Sequence, residues 1–308
     1  MDCLLALTHL VLNVRGKFPL QDHLRLLEGG QRLEKLHLSI DLSPYESQNL
    51  SEKELEMYQH RISTIKAENS KIKDLCLNTV YFPTVMVDYL QRCPRLERLI
   101  LRTLSVVHAR VDLSQVIQGY CPKLKHLDIW SLSMKNTTQA LLLSACSPSE
   151  TTTTTHGDDR SGLESLKLRL QSDSIDNVLR GILNHKTTLT SLNFSQGRGV
   201  TPPGLQLIVG GCMHLKTLII LLHFSDPLSI RMDVVEKEYW NCRHLRTFSV
   251  IFNDYCTSIG RDSAVSLEQL YKLKRLRVFE FSKEGASMLD EHHVKTMLEQ
   301  WPKLEQLG

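Results

Sequence analysis

Residues 93–101 read Cys-Pro-Arg-Leu-Glu-Arg-Leu-Ile-Leu, and residues 121–129 read Cys-Pro-Lys-Leu-Lys-His-Leu-Asp-Ile. Aligned on their cysteines they share one hexad, apolar-x-x-apolar-x-apolar. Moving outward, the same hexad stands at Leu7-Leu10-Leu12, Leu33-Leu36-Leu38 and Ile72-Leu75-Leu77 before them. After them come Leu163-Leu166-Leu168, Leu189-Leu192-Phe194, Leu215-Leu218-Ile220, Leu245-Phe248-Val250 and Leu276-Phe279-Phe281, and an eleventh opens at Leu304-Leu307. Successive first positions are 26, 39, 24, 28, 39, 26, 26, 30, 31 and 28 residues apart. One such hexad arises easily by chance, but ten in a single phase mark an inherited repeat. Composition agrees: leucine makes up 53 of 308 residues, while hydrophobic residues together reach an ordinary 42 %.

Two periodicities describe one unit. Apolar residues alternate at the end of each hexad, which predicts a short strand sending those side chains inward and their neighbours outward. Between hexads they recur at three and four, as in Val178, Leu179, Ile182 and Leu183, or Val294, Leu298 and Trp301. Both stripes predict helices with one buried face, and Thr201-Pro202-Pro203 predicts a helix start. A unit of strand, turn, helix and return cannot bury its own leucines, so the units must stack. The expected fold is a single α/β, right-handed leucine-rich-repeat solenoid over residues 1–308. About ten repeats would place a parallel sheet on the concave side and helices on the convex side of a horseshoe.

The two long intervals read as insertions. Residues 43–70 are polar, with Ser51-Glu52-Lys53-Glu54 as a capping box into a helix ending near Ala67, and predict an exposed helical excursion. Residues 147–161 include Pro148 and five consecutive threonines, Thr151 to Thr155, with nothing to bury, and predict a disordered Thr-rich loop.

Four strands are entered through Cys93-Pro94-Arg95-Leu96, Cys121-Pro122-Lys123-Leu124, Cys212-Met213-His214-Leu215 and Cys242-Arg243-His244-Leu245. Trp301-Pro302-Lys303-Leu304 is a variant, and Cys146-Ser147-Pro148 a further match. This spacing resembles the cysteine-containing, ribonuclease-inhibitor-like leucine-rich repeats of F-box/LRR proteins over nearly the whole chain. The resemblance implies a curved solenoid that presents substrate to a cullin-based ubiquitin ligase through a separate F-box. Since the hexads already run at Leu7, ligase subunits are expected as partners only if an F-box lies outside this chain. The pattern is also unfinished at Leu307, which suggests a piece of a longer protein or ends covered by another chain.

Other classes find little footing. The net charge is +3, so bulk attraction to nucleic acid or anionic lipid is not expected. No apolar run approaches the ~20 residues of a membrane span. Asp2, Thr8 and His9 spoil a signal peptide at the start, and the eight cysteines are too sparse for a disulfide scaffold. A cytoplasmic or nuclear location is expected. Without a CxxC pair or a close Cys/His set, no metal and no cofactor are expected, and the recurrent cysteines read as small buried packing residues. The Gly197-Arg198-Gly199 stretch with Gly204 lacks the Gly-Lys-Ser/Thr ending of a phosphate loop and reads as a turn. Neither GxSxG nor HExxH is present, so no catalytic residue is assigned and the chain is not read as an enzyme.

The function expected is protein recognition by the concave face. Each strand turns three side chains outward, among them Arg98-Ile100-Arg102, His126-Asp128-Trp130, Ser165-Lys167-Arg169, Thr217-Ile219-Leu221 and Thr247-Ser249-Ile251. Arg98, Arg102, His126, Lys167 and Arg169 form the expected basic patch, with Ile100 among them. Trp130 is its tryptophan, and arginine and tryptophan most often dominate binding energy. Ile219, Leu221 and Ile251 form an apolar cluster. Together they suit a partner with acidic and apolar elements: a ubiquitin-ligase substrate, a ligand of a non-ubiquitin scaffold or inhibitor, or a small GTPase, since one activator family also uses leucine-rich repeats.

Overall fold

The computed structural model describes residues 6–15, 19–30, 32–41, 52–64, 70–78, 83–102, 112–130, 134–148, 162–170, 175–197, 200–221, 240–251, 268–281 and 291–307. The chain divides into two compact units, residues 1–134 with 148–161, and residues 135–147 with 162–308. Unit 1 holds β1 (His9–Arg15), β2 (Lys35–Asp41), β3 (Asp74–Asn78), β4 (Arg98–Arg102) and β5 (His126–Trp130). Its helices are α1 (Leu20–Gly29), α2 (Glu52–Thr64), α3 (Pro83–Gln91) and α4 (Leu113–Tyr120). Unit 2 runs α5 (Asn136–Ala145), β6 (Ser165–Leu170), α6 (Asp176–Leu183), β7 (Ser191–Gly197), α7 (Pro202–Gly211) and β8 (Thr217–Leu221). It continues with β9 (Thr247–Ile251), α8 (Glu268–Tyr271), β10 (Val278–Phe281), α9 (Glu291–Gln300) and β11 (Gln306–Leu307).

Within each unit the strands pair in parallel and in chain order. Parallel neighbours need a crossover, and within each unit helices supply it between all successive strands except β8 and β9, between which residues 222–239 lie outside the described residues. The hexad leucines face those helices: Leu75, Leu77, Leu96, Leu99, Leu101, Leu192 and Leu218 have no exposed surface. This is the α/β leucine-rich-repeat solenoid architecture, and its core is the ladder of hexads.

Seven of the described returns to a strand are tight turns in which the first hexad residue donates its N–H three residues back. The acceptors are the carbonyls of Gly30, Cys93, Cys121, Cys212, Cys242, Leu273 and Trp301. All seven are buried, so the cysteines hold a packing position that leucine or tryptophan also fills. Three return side chains add a hydrogen bond to the last turn of the helix one repeat back, where carbonyls lack intrahelical partners. Cys121 Sγ donates to Leu90 (3.8 Å), and Trp301 Nε1 donates to Leu270 (3.2 Å). His185, standing in the return to β7, does the same to Leu143 (3.0 Å).

His185 binds on both ring nitrogens. Its Nδ1 accepts the N–H of Leu163 at 3.1 Å, so the proton must sit on Nε2, which faces the Leu143 carbonyl. The fully buried ring therefore ties the end of α5 and the entry to β6 to its own repeat. Burial lowers its pKa, although the Leu143 carbonyl opposes the shift. Nearby, Gly162 enters β6 with φ of 77°, a left-handed conformation open to glycine without steric cost.

Three expectations change in the folded chain. α2 is no exposed excursion: Tyr58 and Ile62 are buried, Arg61 bonds Glu28 of α1 at 2.9 Å, and Arg92 donates to the carbonyl of Ile62. It is the packed helix of its own repeat. In α9 the buried residue is Met297, while Leu298 is 57 % exposed; of the expected stripe Trp301 is buried and Val294 half-buried, and only its middle member is misplaced, by one position. Third, equal phase would set Ser195 of the outward triplet Ser191-Asn193-Ser195 level with Arg169, but the register slips after Leu168 and Gln196 takes that place. α7 begins at Pro202 with Thr201 Oγ1 accepting from the Gly204 N–H (3.2 Å), as its sequence predicts. Residues 149–161, which hold the threonine tract, lie outside the described residues.

Candidate functional site

The parallel register sets each outward triplet beside the next, so side-chain rows are fixed by backbone pairing. In unit 1, Arg98 pairs with His126, Ile100 with Asp128, and Arg102 with Trp130. On the β3 side, Asp74, Cys76 and Asn78 stand against Arg98, Ile100 and Arg102. Five expected site residues thus share two adjacent strands, with Arg98 exposed and Ile100, Arg102 and His126 half-buried.

Trp130 is 40 % exposed, unusual for so large an aromatic ring. The Arg102 guanidinium carbon lies 5.7 Å from its ring centroid, within range of a cation–π contact. Arg102 Nη2 is also 4.0 Å from Asp128 Oδ2. Arg102 is therefore bracketed by an indole on the next strand and a carboxylate one position inward, which limits its rotamers and holds the guanidinium at the face. Its Nε is buried without a hydrogen-bond partner, at a cost of ~1–3 kcal/mol.

Asp128 is the residue that sequence reasoning passed over. It stands in an outward triplet, but only the register shows that it neighbours Arg102 on the strand before. On β3, in the row of Ile100 and Asp128, Cys76 is buried although its outward position predicts exposure. Burial pushes its thiol pKa up; Arg102 and Arg98 pull it down, and Asp74 and Asp128 add to the rise. A thiol with a raised pKa is a poor nucleophile.

Unit 2 carries the other expected residues. Lys167 and Arg169 are half-buried on β6. Arg169 pairs with Gln196 because the register slips after Leu168, leaving Ser195 as the extra residue of a bulge in β7. Its carbonyl is held by Gln139 Nε2 of α5 at 2.9 Å. Ile219 and Leu221 are half-buried on β8, with Ile251 opposite Leu221 on β9. Ile219 sits between Asn193 and Ser249 in one row. Asn193 Oδ1 and Ser249 Oγ are buried there without hydrogen-bond partners. Arg169 and the apolar residues belong to a different unit from Arg102 and Trp130.

Among the described residues no three His, Cys, Asp or Glu side chains gather as a metal site would require, and no helix is long and apolar enough to cross a membrane. The described returns Cys93, Cys212 and Cys242 are thiols pushed up to about 12, chiefly by burial.

No protein-family model matches the chain, and no curated protein does. Among solved structures, the chain is similar to the leucine-rich repeat-containing protein LegL7 from Legionella pneumophila. That likeness has 15 % identity and a TM-score of 0.47, covering 97 % of this chain and 89 % of LegL7. The chain is also similar to one in the TLR13–ssRNA13 complex, at 15 % identity and a TM-score of 0.37, covering 90 % of this chain and 40 % of that one.

Proposed function

We propose that this chain is a protein-recognition module without catalytic activity, whose outward sheet face holds a partner carrying acidic and apolar elements. The carrying observation is the Arg102–Trp130 pair: two residue types that dominate interfaces sit in register, and Asp128 braces the guanidinium. An Arg already ordered loses less rotamer freedom when a carboxylate docks. The apolar residues of β8 and β9 add a second contact area. We assign the chain, on its cysteine-containing returns, to the substrate-binding part of an F-box-like ubiquitin-ligase adaptor working in the cytoplasm or nucleus. Ligase docking then falls to an F-box outside residues 1–308.

The test is affinity capture with the unaltered chain beside Trp130→Ala and Arg102→Glu, with retained proteins identified by mass spectrometry. Ligase subunits and a substrate lost from both variants support the adaptor; a small GTPase points to an activator, and neither to a non-ubiquitin scaffold or inhibitor. Both variants keep the hexad core and should melt as the parent does. A partner held equally by all three proteins overturns the assignment of the face.

A further inference from the structure

We propose that the Arg102–Trp130 face holds an extended segment of a partner protein reading acidic-x-apolar-x-acidic, laid along β4 rather than across the strands. The inference rests on the assignment of that face as the binding surface and adds the shape and pattern of what it holds. Among the described strands, β4 alone turns out two cations with an apolar residue between them, Arg98, Ile100 and Arg102. Arg98 is exposed and Ile100 half-buried, and the Arg102 side chain is 40 % exposed.

The strands on either side bring the opposite sign. In the row of Arg98, β3 presents Asp74 and β5 presents His126; in the row of Ile100 they present Cys76 and Asp128; in the row of Arg102, Asn78 and Trp130. Two arginines against two carboxylates leave this patch balanced, so its selectivity lies in pattern and not in net charge. A ligand carboxylate over Arg98 that slides ~4.8 Å on to β3 meets Asp74, and a third carboxylate placed midway, over Ile100, meets Asp128. Both misplacements bring like charges together, which excludes ligands of the wrong pattern. Asp128 does not use up Arg102 in doing so: Oδ2 stands 4.0 Å from Nη2, beyond hydrogen-bond length. It aims a guanidinium that the Trp130 ring holds from the other side.

Spacing selects an extended ligand. Arg98 and Arg102 are four residues apart on one strand, ~13 Å, with Ile100 midway. An extended chain repeats its same-side residues every ~6.7 Å, so carboxylates at i and i+4 with an apolar side chain at i+2 meet all three in step. On an α-helix the same-face positions i+7 and i+11 stand ~10.5 and ~16.5 Å from i, short of the span and beyond it. Single-stranded nucleic acid carries a charge at every nucleotide and sets one against the Ile100–Asp128 row as well.

The test is fluorescence anisotropy of the full chain with labelled probes at about 50 mM salt, where charge contacts are little screened. The first probe is a short peptide with glutamate at i and i+4 and leucine at i+2. The others are a peptide of the same composition with its glutamates at i and i+2, a peptide with glutamate at all three positions, and a single-stranded oligouridylate. The first should bind at least about tenfold tighter than each of the others, and Arg98→Glu should weaken it about tenfold or more, while Lys295→Glu on α9 leaves it unchanged. Charge reversal gives the sharper result. Exchanging one glutamate of the first peptide for lysine should restore binding to Arg98→Glu, and exchanging the other should restore it to Arg102→Glu. If the circular dichroism of the Arg98→Glu chain is not native, a severalfold loss in Arg98→Gln decides. Absence of peptide binding, equal or tighter binding of any other probe, indifference to Arg98, or failure of the exchanges to restore binding overturns the proposal. Where such a failure leaves binding that Trp130→Ala still abolishes, or a captured partner that Trp130→Ala loses, the assignment of the face survives. Binding indifferent to Arg98, Arg102 and Trp130 alike removes both.

Discussion

Replacing His185 with leucine should destabilise unit 2 in a way that depends on pH. The buried imidazole joins the Leu163 N–H to the Leu143 carbonyl. Leucine fills similar space but leaves the Leu163 N–H buried and unpaired, whereas the Leu143 carbonyl still accepts from Ser147 Oγ and the Cys146 N–H, each at 3.2 Å. One such orphan costs ~1–3 kcal/mol, so a loss of about 1–3 kcal/mol is expected at pH 7.5. Burial lowers the His185 pKa in the folded chain, so below the unfolded value of 6.5 the unfolded state binds protons that the folded state refuses. Stability of the parent is therefore complete above about pH 6.5 and declines as pH falls through the window down to the folded pKa. The leucine chain lacks this contribution, and the gap between the two should narrow by up to about 1.4 kcal/mol by pH 5.5. His23, whose pKa burial lowers to about 4, titrates in both chains and cancels in the difference. Urea unfolding followed by far-UV circular dichroism at both pH values gives the comparison, and amide exchange at Leu163 localises it. A loss below about 1 kcal/mol at pH 7.5, or a gap that widens on acidification, refutes the bridging role.

Two glycines test the packing in opposite directions. A Cβ at Gly181 in α6 would meet the Leu143 Cβ at 2.9 Å, whereas one at Gly119 in α4 meets nothing within 4 Å. Gly181→Ala should lower the melting temperature, costing about 1–2 kcal/mol net of helix propensity, and Gly119→Ala should raise it, stabilising the chain by about 0.5–1 kcal/mol. For the thiols, burial holds Cys93, Cys212 and Cys242 up to about 12. Under native conditions at pH 8 all three should resist alkylation, read by peptide mass spectrometry, and react fully in urea; labelling of the native chain would contradict their packed positions.

Much of the repeat was legible because its signals are local. The hexads name the strands and buried leucines, and Thr201-Pro202 names the start of α7. The cysteine returns also read correctly as packing positions, because small apolar side chains recurring at one phase have a structural explanation. The facing of a helix was less secure: Met297 and Leu298 are both apolar, and only contact with the neighbouring layer decides which is buried. The candidate site was half legible. Alternation placed Arg102 and Trp130 outward, and equal phase placed them in one row, but Asp128 drew no notice because its effect lies across strands.

From the order of its residues alone, this chain is committed to stacked strand–helix units with leucine ladders inside, since side-chain alternation and helical period are properties of a few neighbouring residues. What only the tertiary structure decided is which residues become neighbours across rungs. The slip after Leu168, the imidazole bridge of His185 and the packing of α2 all join residues about 20 to 40 positions apart. Interval lengths vary from repeat to repeat, so those meetings depend on how each crossover closes against its neighbour, a cooperative outcome of packing that no local pattern encodes.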